Sequence, residues 1–118
     1  MNDEEIRQFL EDYGCPAHIV RAGREGLIRR WEKFVQENES GYRLGLEDYR
    51  NDLDLREIIE QAGLSAEVHD ADRRFRALLK PASRPVWESA TPDAFWIWGY
   101  PSNASGALLE DLEAEGLA

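Results

Sequence analysis

A mainly α-helical fold follows from three features of this 118-residue sequence. Apolar side chains recur every three or four residues through most of positions 4–80, as one face of a helix requires. Glycine and proline fall at the ends of those runs, where helices stop. Strand-like composition is confined to a short stretch after Pro81. The expected architecture is a compact bundle of four to six helices with a short two-stranded aromatic hairpin near the C-terminus. It forms one domain, with a helical body at 1–80 and the hairpin and last helix at 81–118. A chain of this length buries about two thirds of the surface it exposes when unfolded, enough for one core without staples. Four Trp, four Tyr and four Phe argue against disorder.

The elements follow in order. Asp3 can cap a helix over 4–13, with Ile6, Phe9, Leu10 and Tyr13 on one face and Gly14 and Pro16 as its stop. A longer helix spans 17–38, with Val20, Leu27, Trp31 and Phe34 as its stripe. Gly23 and Gly26 interrupt it. Either they permit close helix contact, or the first turn is separate and the main helix begins near Arg24. Leu46, Tyr49 and Leu53 then follow one stripe, and Leu55, Ile58, Ile59 and Ala62 another that is out of phase. That change predicts two pieces, 46–52 and 55–62, with a kink at Asp52–Asp54. Asp54 and Glu57 would form a capping box there. Ser65 caps a helix over 66–80, which Pro81 ends. Val86-Trp87 and Phe95-Trp96-Ile97-Trp98 have strand composition and would be joined through 89–94. A final helix lies near 105–115.

The net charge of −10 is uneven. Residues 1–20 carry five acids and one base, residues 21–84 thirteen of each, and residues 85–118 six acids and no base. Such a field repels phosphate backbones and anionic lipid, so neither nucleic acid nor a membrane is an expected partner, whereas a basic protein surface is. Cys15 is the only cysteine, which rules out an internal disulfide. The acidic N-terminus lacks the basic and apolar regions of a secretory signal, and no apolar run approaches the ~20 residues that span a bilayer. A cytoplasmic location is expected.

Few residues suggest chemistry. Asp48, Asn51, Asp52, Asp54 and Glu57 offer oxygens of the kind that hold Ca²⁺ or Mg²⁺, but lack the glycine and alternate spacing of a calcium loop, and Arg50 and Arg56 lie among them. Structural capping by Asp52, Asp54, Glu57 and Ser65 is the favoured reading. His69 beside Asp70 points about 100° away from it on a helix, and His18 belongs to another element. Cys15, in a turn, has no reactive-thiol signature around it. No phosphate loop, nucleophile elbow or zinc-helix motif occurs. No cofactor, metal or catalytic residue is assigned.

The aromatic tail is the strongest feature. In an extended segment Trp96 and Trp98 share one face and Phe95 and Ile97 the other, and both faces cannot easily enter one small core. Either one face seals the helical body and the C-terminal helix shields the other, or part of the segment stays exposed as an anchor, with Trp87, Trp96, Trp98 and Tyr100 as the candidate partner-binding residues, since Trp is favoured at interface hot spots. The run Gly41-Tyr42-x-Leu44-x-Leu46-Glu47-Asp48-Tyr49-x-Asn51-Asp52-Leu53-Asp54-x-Arg56-x-x-Ile59, followed by the Trp-rich tail, resembles small bacterial proteins of unassigned function over residues 20–100. The resemblance implies a compact helical body with an aromatic hairpin and supplies no activity. The expectation is a non-catalytic protein-binding module, inhibitor- or immunity-like, that is a monomer or weak homodimer. The alternatives are a self-associating structural subunit and a small metal-dependent enzyme using Asp48–Glu57.

Overall fold

The computed structural model covers residues 1–118 and contains five α-helices and a two-stranded antiparallel sheet. Helix α1 (Asp3–Tyr13) is capped one residue earlier than expected. Asn2 Oδ1 accepts from the Glu5 backbone N–H at 2.8 Å, and Glu5 Oε1 accepts from the Asn2 N–H at 3.1 Å. Asparagine fills this role as well as aspartate, and the reciprocal pair satisfies two orphan donors. Gly14 ends the helix at φ 90°, a left-handed conformation that side chains resist.

Helix α2 (Ala17–Ser40) kinks at Gly23, whose φ of 59° and ψ of −145° lie outside the helical range. The bend brings Ala22 so close to Gly26 that a Cβ on Gly26 would collide with the Ala22 methyl. The two glycines thus serve one device: Gly23 makes the bend and Gly26 makes room for it.

Helix α3 (Leu46–Gln61) is continuous, so the expected break at Asp52–Asp54 is absent. The phase change has another cause. This helix is covered on more than one side, with α2, α5 and the turn at Phe95–Ile97 packed against it. Tyr49, Leu53, Ile58 and Ile59, drawn from both stripes, are all buried in the same core. Two stripes on one helix mark a central element, not two short ones.

A 3-10 turn at Ser65–Val68 leads into α4 (His69–Leu78). That helix stops two residues short of the expected end, because Leu79–Pro81 forms strand β1 and pairs with β2 (Gly99–Pro101). In this register Leu79 opposes Pro101, Lys80 opposes Tyr100 and Pro81 opposes Gly99. A short antiparallel hairpin near the C-terminus is present, but its strands are not those the composition suggested. Val86 contributes one backbone hydrogen bond, to the Ile97 carbonyl at 2.6 Å, and Phe95–Ile97 is a 3-10 turn. With about three residues per turn, Trp96 and Ile97 both point inward, which alternation along a strand forbids. Helix α5 (Gly106–Ala114) closes the body with Leu108 and Leu112 buried.

Trp31, Phe34, Tyr42, Tyr49 and Phe75 form the centre of the core, with neighbouring ring centroids 5.2–5.6 Å apart. No helix is long and apolar enough to cross a membrane.

Candidate partner-binding site

The aromatic segment 86–98 is strapped to α3 by four polar side chains. Arg50 donates from Nε to the Val86 carbonyl at 2.9 Å and holds both carboxylate oxygens of Glu115 at 3.1 and 2.8 Å. Its guanidinium lies 5.2 Å from the Trp87 ring centroid. The Trp87 indole N–H in turn donates to Asp54 Oδ1 at 2.6 Å. Six residues after Arg50, Arg56 is buried and donates through Nε and Nη2 to the two oxygens of Asp72, at 2.9 and 2.7 Å. Asp72 Oδ1 also accepts from the Trp31 indole at 2.9 Å. The guanidinium of Arg56 covers the Trp96 ring at 4.4 Å.

Glu57 is the fourth strap. Its carboxylate accepts from the Ser89 hydroxyl at 2.5 Å, the Ala90 backbone N–H at 3.1 Å, the Thr91 hydroxyl at 3.0 and 3.1 Å, and the Gln61 amide at 3.2 Å. Burial pushes its carboxyl up, but the donors from Ser89, Thr91, Gln61 and Ala90 outweigh that and hold it below the usual carboxylate range.

These contacts correct the capping assignment. No helix terminus exists at Asp54, so neither Asp54 nor Glu57 can cap one, and both instead accept hydrogen bonds from the aromatic segment. Asp52 accepts from the Tyr42 hydroxyl at 3.1 Å. Ser65 makes no cap bond and donates its hydroxyl to Glu60. No group of three or more His, Cys, Asp or Glu side chains converges as metal ligands would. Burial raises the Cys15 thiol, which lowers its reactivity.

The four candidate aromatic residues separate. Trp96 is 3% exposed and belongs to the core, whereas Trp98 is 54% exposed. Trp87 and Tyr100 are half-buried, the latter with Lys80 at 5.9 Å from its ring. Trp98 is fixed through its backbone: its N–H donates to the Phe95 carbonyl at 3.2 Å and its carbonyl accepts from Ala82 at 3.1 Å. The adjoining Ser83 and Arg84 side chains donate to the carbonyls of Gly116 and Glu115, at 2.7 and 3.0 Å.

The absence of bases from 85–118 does not carry into space. Arg50, Arg56, Arg76 and Lys80 all lie over rings of this segment. Of its acids, Asp111 accepts from the Leu46 N–H at the start of α3 and Glu115 pairs with Arg50, while Glu88, Asp93, Glu110 and Glu113 are exposed. Arg50, Arg56 and Asp72 went unassigned from sequence alone. The signal that could have found them was Arg56-Glu57 sitting inside the doubly striped, and therefore buried, part of α3.

A scan against protein-family models finds no match, and comparisons with curated proteins and with solved structures find none either, so function rests on this geometry.

Proposed function

We propose that this protein is a non-catalytic binding module that docks on a basic protein surface through the face carrying Trp98, in the manner of an inhibitor or immunity protein. The observation that carries the reading is the exposure of Trp98 on a backbone held from both sides, while the other three Trp residues are covered to different degrees. A rigid, exposed indole loses little freedom when a partner covers it. The net charge of −10 supports a basic partner by long-range steering, and the exposed acids Glu110 and Glu113 of α5 contribute to that field.

Self-association through the sheet is the less favoured reading. Both strands are three residues long, and β1 and β2 each end in proline, which blunts an edge against further pairing. Affinity purification of the native protein beside Trp98→Ala, at low and then high salt, tests the proposal. A protein captured by the native form, released by salt and lost with Trp98→Ala supports it. Identical capture by both forms contradicts it.

A further inference from the structure

A cleft of about 310 Å³ opens between α3, α4 and the turn at 91–96, with Arg56 and Trp96 in its wall and no contribution from Trp98. Four buried side-chain nitrogen or oxygen atoms of this protein lack a hydrogen-bond partner, and two of them, Arg56 Nη1 and Trp96 Nε1, belong to these wall residues. Each residue is only 3% exposed. The Nε and Nη2 edge of the Arg56 guanidinium faces Asp72, so Nη1 points away from that carboxylate. Because the guanidinium lies 4.4 Å over the indole, the two unpartnered donors are neighbours. Leaving a buried donor unpaired is costly, and two side by side in a cleft wall call for an acceptor. The fold supplies none. The Asp72 oxygens are taken by Arg56 Nε, Arg56 Nη2 and the Trp31 indole, and Glu60 accepts from the Ser65 hydroxyl.

We propose that this cleft binds a small neutral amide or lactam, whose carbonyl oxygen accepts from Arg56 Nη1 and Trp96 Nε1. One carbonyl oxygen carries two lone pairs and can take both donors. Charge gives no preference for an anion. Three carboxylates (Glu60, Asp72 and Asp93) line the cleft beside His69 and three guanidiniums (Arg56, Arg73 and Arg76), and Asp72 already matches the Arg56 charge. A carboxylate entering that corner loses its hydration with no spare cation to offset the loss, whereas a neutral carbonyl loses far less. An amide also brings N–H donors, and the exposed Asp93 carboxylate on the rim is an acceptor for them. The volume is at the small end of ligand cavities, which suits a single ring better than a peptide. Neither donor meets water in the free protein. An occupant reaches them by displacing the turn at Pro92–Asp93, where Asp93 holds φ 59°, a left-handed conformation uncommon for a residue with a side chain.

Nicotinamide and uracil are probes of this class, and nicotinate is the charged counterpart of the first. Each is titrated into isotope-labelled native protein while the four indole N–H signals are followed by NMR. With nicotinamide or uracil the expected result is a saturable downfield shift of the Trp96 signal, as a newly hydrogen-bonded N–H gives. The Trp98 signal should stay in place, which separates this site from the face proposed above. Nicotinate should bind at least tenfold more weakly than nicotinamide. Trp96→Phe keeps a ring and removes the donor, and should also weaken nicotinamide at least tenfold, read from the backbone signals of Thr91 and Asp93. The native titration needs no variant, so it decides the matter should Trp96→Phe fold poorly. A Trp96 signal that neither neutral probe moves, as when an enclosed water already holds it, would overturn the site. Nicotinate binding as tightly as nicotinamide would overturn the assignment of a neutral occupant.

Discussion

The Arg56 guanidinium lies 4.4 Å from the centroid of the Trp96 ring, and each is only 3% exposed. The pair fixes the aromatic tail to α3, with Asp72 also held by the guanidinium. Truncating Arg56 leaves the Asp72 carboxylate with the Trp31 indole as its only donor and no counter-charge. Arg56→Met should therefore cost about 3–5 kcal/mol in denaturant unfolding. Adding Asp72→Asn should recover part of that loss, because no unpaired charge then remains. Trp96→Ala should cost a similar ~3–5 kcal/mol through loss of buried volume. A loss below about 1 kcal/mol for both single variants would show that the strap is not structural.

Glu57 accepts from every donor around it, so a substitution that brings a donor of its own creates a conflict. Glu57→Gln should destabilise the protein by about 1–3 kcal/mol despite its near-identical shape, by turning an amide N–H₂ toward Ser89, Ala90 or Thr91. Amide hydrogen exchange should quicken at Ala90 and Thr91 before it does in α1. Native-like exchange at 90–91 in Glu57→Gln would contradict the role given to this carboxylate.

Asp52 behaves in the opposite way. Burial pushes its carboxyl up to about 6, from an ordinary 3.8, against the lowering effects of the Tyr42 hydrogen bond and Arg30. The folded state thus holds a proton between about pH 4 and 6 that the unfolded chain has released. Stability from this group is full below about pH 4, falls as pH rises through about 6, and stays reduced above it. Asp52→Asn keeps an acceptor for Tyr42 and removes the charge. It should raise unfolding stability at about pH 7.5 by on the order of 1–2 kcal/mol, allowing for its partial contact with water, and change little at about pH 4. Denaturant titrations at the two pH values check this, and an equal effect at both would refute it.

Local periodicity and stop signals made the helical body legible, since α1, α2, α4 and α5 obey nearest-neighbour rules. What sequence could not express was coverage. The two stripes of α3 look like two helices until the packing around it is known, and Asp54 and Glu57 look like caps until Trp87 and Ser89 arrive from more than 30 residues away. The aromatic run failed differently. Its composition favours a strand, but a 3-10 turn lets adjacent Trp96 and Ile97 share the core, leaving Trp98 outside. Counting bases in 85–118 missed the cations that α3, α4 and β1 bring to those rings.

The separation of Trp98 from the other rings has a direct consequence. Because 54% of its surface already meets water, Trp98→Ala should alter unfolding stability by less than about 1 kcal/mol, unlike Trp96→Ala.

Calorimetric titration of the captured partner against native protein and Trp98→Ala, with unfolding followed in parallel, tests the docking face most directly. The expected result is a dissociation constant at least tenfold weaker for the variant with an unchanged melting temperature. Equal constants for the two forms, or a variant that binds poorly only because it has unfolded, would contradict a docking role for this indole.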